Sequence, residues 1–129
     1  MARILLAEDD AAVRDFVRRA LEMDGHDVVP VSDGGEALEK ALSPIEDFEL
    51  LLSDIRMPVV DGLALALQVG RDRPELPILL MTGYAEHLEQ AYGMDALIKG
   101  IIQKPFTLER IRSEVRDALK DRPQAPSAA

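Results

Sequence analysis

The chain of 129 residues carries 24 acidic and 15 basic side chains, a formal net charge of −9, and 47% hydrophobic residues. This length and composition predict one globular domain with a continuous core. The acidic balance argues against a surface for nucleic acid, because binding to phosphate backbones needs clustered Lys and Arg. The absence of cysteine from the sequence excludes disulfides, thiolate metal sites and cysteine nucleophiles.

The first residues of the sequence do not have the pattern of a signal peptide or a membrane helix. Four apolar residues, 4–7, are followed at once by three acidic ones, whereas both kinds of segment need a longer apolar run. We therefore expect a cytoplasmic protein that has neither a membrane nor a nucleic acid as its partner.

Short apolar runs alternate along the chain with segments of helical apolar spacing. Such runs predict strands buried on both faces, and parallel neighbours need crossover connections of this length. The pattern predicts an α/β fold, a doubly wound (βα)₅ unit around a five-stranded parallel sheet. We expect the strand order 2-1-3-4-5, in which the first, third, fourth and fifth strands are consecutive neighbours. In chain order the predicted elements are strand 4–7, helix 13–21, strand 28–31, helix 37–42, strand 50–52, helix 63–69, strand 78–81, helix 85–92, strand 98–102 and helix 108–119.

The βα units account for the sequence up to residue 121, so we predict one domain over residues 1–121. From Arg122 onward the sequence has two prolines and no apolar periodicity, which predicts a disordered tail over residues 122–129. Its last residues, Ala128 and Ala129, resemble tags read by bacterial ATP-dependent proteases, and the alternative is an unselected terminus. We expect no output domain within this sequence.

Polar side chains follow four of the predicted strands. Glu8 and Asp9 follow the first, Asp54 the third, Thr82 the fourth and Lys104 the fifth. These strands are neighbours in the expected order, and sites in open α/β sheets form beyond the carboxyl ends of the strands. We therefore expect the five side chains to line one crevice.

The charges of this group predict a metal ion and a phosphoryl group as its ligands. Three carboxylates against Lys104 leave an excess of two negative charges, which a hard divalent cation with oxygen ligands, Mg²⁺ in particular, would neutralise. Such an ion offsets the charge of a phosphoryl group, whose other oxygens Lys104 and the Thr82 hydroxyl would hold. Asp54 would then act as the nucleophile and form an aspartyl phosphate.

Four short motifs contain these residues. They read LLAEDD at 5–10, DIRMPVVDG at 54–62, MTG at 81–83 and KPF at 104–106. In order and spacing they resemble the receiver domain of bacterial two-component response regulators, a family with a CheY-like, flavodoxin-like fold. The resemblance covers roughly residues 2–121.

The resemblance implies a role for each acidic residue of the site. Asp54 would be the phosphoacceptor, modified by a histidine kinase or a histidine phosphotransferase. Glu8, Asp9 and Asp54 would hold Mg²⁺ together with the backbone carbonyl of Arg56. Asp9 would be the more direct ligand, and Glu8 would act mainly through water.

The resemblance also implies that Thr82 senses the phosphoryl group and that Lys104 binds it, with a cis peptide bond between Lys104 and Pro105. One position departs from the family pattern. Receivers usually carry Tyr or Phe three residues before the lysine, where it moves inward together with the threonine, and this chain has Ile101 there. The departure puts the usual coupling between the threonine and an aromatic side chain in question.

Two pairs of side chains near the motifs receive different interpretations. Arg56 and Tyr84 occupy positions that flank the phosphoryl group in this family, and we hypothesise that they shield the acyl phosphate and lengthen its life.

His26 and His87 have no cysteine or suitably spaced histidine as a partner. The sequence indicates surface residues with no role in metal binding or phosphate donation.

We expect a single-domain response regulator rather than an enzyme, acting through a phosphorylation-dependent interaction with an effector protein. The short chain, the KPF motif and the alanine-ended tail most resemble CpdR-like receivers of alphaproteobacteria, which control substrate delivery to the ClpXP protease. Two alternatives stay open. One is a phosphorelay intermediate, and the other is a Mg²⁺-dependent phosphohydrolase, which would need an acid two residues after Asp54, where this chain has Arg56.

Overall fold

The computed structural model describes residues 1–120. The predicted tail, with Ala128 and Ala129, lies outside the described residues. Strands and helices alternate from the first strand to the last helix. The elements are β1 Arg3–Ala7, α1 Ala11–Glu22, β2 Asp27–Val31, α2 Gly34–Leu42, β3 Leu50–Asp54, α3 Gly62–Asp72, β4 Ile78–Thr82, α4 Ala85–Tyr92, β5 Gly100–Gln103 and α5 Leu108–Lys120.

The five strands form one parallel sheet in the order β2-β1-β3-β4-β5. The predicted fold class and strand order are therefore confirmed. The register pairs Ala7 with Ser53, Asp54 with Met81, and Thr82 with Gln103. The carboxyl ends of β1, β3, β4 and β5 consequently meet at one edge of the sheet, which is where the polar motifs lie.

The sheet separates two hydrophobic clusters, because alternate residues of a strand point to opposite faces. In β1, Leu5 belongs to one cluster, whereas Ile4 and Leu6 belong to the other. Helices α2, α3 and α4 contribute to the first cluster, and α1 and α5 to the second. Burial on both faces explains why the strands read as continuous apolar runs rather than as an alternating pattern.

Aspartate side chains begin three of the helices at the carboxyl edge of the sheet. Asp10 accepts the backbone N–H groups of Ala12 and Val13, at 2.9 and 3.2 Å, at the start of α1. Asp33 and Asp61 cap α2 and α3 in the same way. Each cap satisfies N–H groups that have no partner within the helix.

None of the helices within residues 1–120 is long and apolar enough to cross a membrane.

The loop after β3 is held by close approaches of backbone to backbone. A Cβ atom at Gly62 would lie 2.3 Å from the Asp54 carbonyl oxygen, and one at Gly34 would lie 1.6 Å from the Val60 carbonyl oxygen. Within this loop Val59 has a φ of 72°, a left-handed conformation that β-branched residues rarely adopt. Contacts with the first residues of α2 and α3 therefore determine the path of the backbone after Asp54.

Candidate functional site

A crevice opens at the carboxyl edge of the sheet, above β1, β3 and β5. It receives acidic side chains from the ends of β1 and β3 and a lysine from the segment after β5. Its walls come from the segments after β3 and β4. The lining residues are Glu8, Asp9, Asp10, Asp54, Arg56, Gly83, Tyr84 and Lys104.

Three carboxylates converge in this crevice. One oxygen from each of Glu8, Asp9 and Asp54 lies within 4.8 Å of the others. Glu8 is fully buried and Asp54 is 6% exposed, whereas Asp9 faces solvent. The structure thus brings together the three acids that the sequence predicts as metal ligands.

Lys104 is the cation that faces these acids. Its Nζ lies 2.7 Å from Oε1 of Glu8 and 3.2 Å from Oδ2 of Asp54. The bond from Lys104 to Pro105 is cis, as predicted. Lys104 therefore bridges residues from the ends of β1 and β3, although it lies 96 and 50 positions along the chain from them.

Backbone N–H groups hold the remaining oxygens of the two buried acids. Oε2 of Glu8 accepts the N–H of Asp10 at 3.2 Å, and Oδ1 of Asp54 accepts the N–H of Ile55 at 3.0 Å. Arg14 of α1 donates to the Glu8 carbonyl at 2.9 Å. Both carboxylates are consequently fixed in orientation, and each directs one oxygen at Lys104.

Burial and neighbouring charges shift the pKa values of Glu8 and Lys104. Burial raises the pKa of Glu8 to about 7, and the charge of Asp54 acts in the same direction against the hydrogen bond from Lys104. Burial also opposes the charge of Lys104, but the hydrogen bond to Glu8 and the charge of Asp54 outweigh it, and the pKa of Lys104 is raised. Lys104 therefore stays protonated at neutral pH, and one lysine does not balance three acids.

The donor set fits a hard divalent cation. Its groups are carboxylate oxygens from Glu8, Asp9 and Asp54, and Mg²⁺ prefers such ligands while retaining several waters. Three carboxylates face one lysine in this crevice, and a divalent ion would supply the positive charge that balances them. Arg56, whose backbone carbonyl is expected to be a further ligand of the ion, also lines the crevice.

Thr82 is not among the described residues that line this crevice with the acids. Thr82 ends β4 and is 1% exposed. Its Oγ1 accepts the N–H of Tyr84 at 3.1 Å and lies 3.2 Å from Nδ1 of His87. The expectation that all five motif side chains line one crevice therefore holds for four of them.

His87 has a position that its sequence context does not indicate. It lies in the first turn of α4, is partly buried, and contacts both the Thr82 hydroxyl and the Tyr84 ring, whose centroid is 5.3 Å from its own. The sequence indicates an isolated surface histidine because a hydrogen bond between two side chains five residues apart leaves no pattern of apolar or charged spacing. His26 is also partly buried, and its Nδ1 accepts the N–H of Ala2 at 3.0 Å.

Arg56 and Tyr84 form one wall of the crevice. The Arg56 guanidinium donates to the Tyr84 hydroxyl and lies 5.1 Å from the centroid of the Tyr84 ring. Both side chains are exposed at the mouth of the crevice. The two residues that the sequence predicts to shield a phosphoryl group are therefore in mutual contact beside Asp54.

The raised pKa of Glu8 predicts how the stability of the ion-free protein depends on pH. Between the ordinary value of 4.5 and about 7, the folded protein holds a proton that the unfolded chain has lost. Stability from this group is therefore complete below about pH 4.5 and is lost as pH rises through about 7. Relative to Glu8→Gln, wild type should lose roughly 2–3 kcal/mol over this range.

Urea unfolding of both proteins in a chelator, from about pH 4.5 to about pH 8, measures this difference. Glu8→Gln keeps the shape of the side chain and cannot ionise, so its curve supplies the contribution of all other groups. Parallel curves for the two proteins would contradict the assignment of this titration to Glu8.

Comparison with known proteins is decisive about the family. The family model of the response regulator receiver domain matches residues 4–116. The chain belongs to this family. Receiver domains are the signalling modules of two-component systems, bind Mg²⁺ at an acidic site, and interact with histidine kinases and effectors.

Solved receiver structures share the fold across nearly the whole chain. A CheY-like receiver domain protein from Methanospirillum hungatei superposes with a TM-score of 0.85 and 29% identity, covering 94% of this chain and 95% of that one. The chemotaxis response regulator CheY4 of Vibrio cholerae superposes with a TM-score of 0.81 and 28% identity, covering 92% and 98%. The matching fold therefore makes up nearly all of these two solved chains.

The curated relatives are longer proteins. Response regulator MprA of Mycobacterium ulcerans is 38% identical over 118 residues, which are 92% of this chain and 50% of that protein. RpaA of Synechocystis, a DNA-binding dual master transcriptional regulator, is 34% identical over 133 aligned residues, 100% of this chain and 54% of that protein. This receiver domain spans about half the length of the curated relatives it matches.

Proposed function

We propose that this receiver domain is a phosphorylation-dependent switch with Asp54 as its phosphoacceptor. The observation that carries the proposal is the pair of contacts at Asp54, whose Oδ2 faces Lys104 while its Oδ1 is held by the Ile55 N–H. A carboxylate fixed in this way, at the base of a crevice lined by further acids, is suited to attack a phosphorus atom that Lys104 also attracts.

The donor in the proposed step is a phosphohistidine of a histidine kinase or a histidine phosphotransferase. An Asp54 oxygen attacks the phosphorus, so that the O–P bond forms while the P–N bond breaks. The electron pair of that bond returns to the imidazole nitrogen of the donor, which leaves as neutral imidazole because its other ring nitrogen carries a proton. Lys104 holds a phosphoryl oxygen and offsets the charge that Asp54 acquires.

Mg²⁺ fits this step as a cofactor of the acidic group. Held by Glu8, Asp9, Asp54 and the Arg56 carbonyl, it would supply positive charge to the phosphoryl oxygens. Glu8 and Asp9 orient the ligand set, and the backbone hydrogen bond from Asp10 fixes Glu8 for that purpose. Lys104 keeps the Asp54 carboxylate in place between turnovers of the switch.

Intact-mass measurement with Mg²⁺ and a small phosphodonor tests the phosphoacceptor. Wild type should gain one phosphoryl group, and Asp54→Asn should gain none because its amide oxygen is a poor nucleophile. Asp95→Asn is a matched control, since Asp95 lies exposed in the turn after α4, and it should behave as wild type. Equal modification of wild type and Asp54→Asn, or of neither, would overturn the proposal.

The wall formed by Arg56 and Tyr84 should control the lifetime of the phosphorylated state. Both side chains lie at the mouth of the crevice in contact with each other, where they restrict the approach of water to the phosphorus. Arg56→Ala and Tyr84→Ala should each lose the phosphoryl group faster than wild type, by about threefold to tenfold if water access limits hydrolysis. Dephosphorylation followed by intact mass checks this, and unchanged rates in both variants would contradict it.

Several finer predictions accompany the proposal. The receiver unit spans residues 1–121, and its output is an interaction with an effector protein. No turnover of phosphorylated metabolites is expected, because the side chain two residues after Asp54 is Arg56, which is held on Tyr84 and has no acid–base role. A phosphorelay intermediate shares the same site chemistry. Delivery of substrates to a ClpXP-type protease, the exclusion of nucleic acid and the cytoplasmic location stay predictions.

A further inference from the structure

The Thr82 hydroxyl has one proton, and in this structure its Oγ1 lies within hydrogen-bond distance of His87, a residue that does not line the crevice. Oγ1 accepts the N–H of Tyr84 at 3.1 Å, which occupies one lone pair. His87 Nδ1 lies 3.2 Å away, and a neutral imidazole protonated at Nε2 presents Nδ1 as an acceptor. The hydroxyl proton is then directed at His87.

A phosphoryl group on Asp54 competes for the same proton. Phosphoryl oxygens are acceptors, as is Nδ1 in this tautomer, and a hydroxyl donates only once. Thr82 is 1% exposed, so water is a poor substitute partner on either side. The hydroxyl therefore donates its hydrogen bond either to His87 or to the phosphoryl group. These two hydrogen bonds define two states of the site.

The contact of His87 connects Thr82 to the start of α4. His87 lies in the first turn of α4, and Tyr84 at the start of that helix provides no capping hydrogen bond from its side chain. Ile101 is packed against the hydrophobic cluster on this side of the sheet, so an aromatic side chain is not available at that position to follow Thr82. The Thr82 hydroxyl contacts His87 and the Tyr84 N–H, both at the start of α4.

We propose that His87 is a positioning residue that holds the Thr82 hydroxyl in the resting state and gives it up when Asp54 is phosphorylated. The inference rests on the proposed function at Asp54. Loss of the Thr82 contact releases His87 together with the first turn of α4. The surface presented by α4 and Tyr84 then differs between the two states, as an effector needs in order to distinguish them.

The size of the effect follows from a single hydrogen bond. Removing the acceptor at position 87 removes a competitor of the phosphoryl group, and a net hydrogen-bond contribution shifts the equilibrium by about threefold to tenfold. The affinity for a phosphoryl mimic at Asp54 should rise by that factor. A residue with a purely structural role would not raise it.

Three proteins and one probe test this inference. Beryllofluoride with Mg²⁺, a stable mimic of a phosphoryl group on a carboxylate, is titrated into wild type, His87→Phe and His87→Asn. Phe keeps a ring against Tyr84 without an acceptor, so beryllofluoride should bind about threefold to tenfold more tightly. Asn restores an acceptor oxygen close to the position of Nδ1, and its affinity should lie within about twofold of wild type.

The ¹⁵N signals of the imidazole rings supply an independent readout. The chain has two histidines, and His26→Gln assigns the signals of His87. In wild type, His87 should show an unprotonated, hydrogen-bonded Nδ1, and its signals should shift when beryllofluoride saturates Asp54, while those of His26 stay constant.

The outcomes separate this inference from the proposed function. Binding of beryllofluoride that leaves the His87 signals unchanged, a protonated Nδ1 in the resting state, or wild-type affinity in His87→Phe would overturn the role of His87 and leave Asp54 as the phosphoacceptor. Failure of wild type to bind beryllofluoride at all would overturn both.

Discussion

Replacing Lys104 by Met should lower the free energy of unfolding of the ion-free protein by about 3 kcal/mol at about pH 8. Lys104 contacts Glu8 at 2.7 Å and Asp54 at 3.2 Å, and Glu8 is fully buried. Met fills a similar volume but leaves both carboxylates without their cation, and a buried charge without a partner is costly. The loss should shrink toward about pH 5, where Glu8 takes up a proton.

The same substitution should slow phosphorylation of Asp54 by a small phosphodonor on the order of a hundredfold, because it removes the side chain that offsets charge on the phosphoryl group. Urea unfolding across pH and the rate of mass gain measure the two effects. Lys120→Met is the control, since Lys120 is exposed at the end of α5, and it should match wild type in both assays. A Lys104→Met protein with wild-type stability and rate would show that the contacts to Glu8 and Asp54 contribute nothing.

Replacing Gly62 by Ala should destabilise the protein by about 3 kcal/mol and also impair the site. The added methyl group would lie 2.3 Å from the Asp54 carbonyl oxygen and 2.7 Å from the Ile55 Cα. Both neighbours are backbone atoms, so relief requires a shift of the strand end that carries the phosphoacceptor. The Gly62 N–H also donates to the Ile55 carbonyl at 2.7 Å, which holds α3 against that strand end.

Urea unfolding and the phosphorylation rate again provide the measurements for Gly62→Ala. Gly93→Ala is the matched control, because its added carbon would lie 3.4 Å from the nearest atom, the Gln90 carbonyl oxygen. That variant should differ from wild type by about 0.5 kcal/mol at most. Equal effects of the two substitutions would show that the contact between α3 and the end of β3 does not position Asp54.

The fold was predictable because its signals are local and repeated. Strands buried on both faces need continuous apolar residues, and amphipathic helices need one apolar stripe, so Ile4 to Ala7 and the stripe of α1 are distinct in composition. Parallel pairing follows from the length of each connection. The bounds of α4 agree with the predicted 85–92 although Ala91 is its one fully buried residue, whereas α2 begins at Gly34, three residues before its predicted start.

The acidic group and Lys104 were predictable for a related reason. Strand order places the carboxyl ends of β1, β3 and β5 at one edge, so residues that follow them must lie near one another. The charge imbalance of three acids against one lysine then predicts a cation. Nothing in the spacing indicated how deeply Glu8 is buried, because burial depends on helices and loops packed around it, and the rise of its pKa to about 7 follows from that packing.

The sequence by itself determined the alternation of strands and helices and the acidic residues that follow the strands, whereas the expected strand order that brings these acids together was confirmed by the structure. Tertiary structure alone decided that the Thr82 hydroxyl lies against His87 and that Thr82 is not among the residues that line the crevice. The reason is that a strand sets the direction of its last side chain only in part. The rotamer and hydrogen bonds of Thr82 depend on where the segment from Tyr84 to His87 runs, and that path is set by packing of α4 rather than by a local pattern.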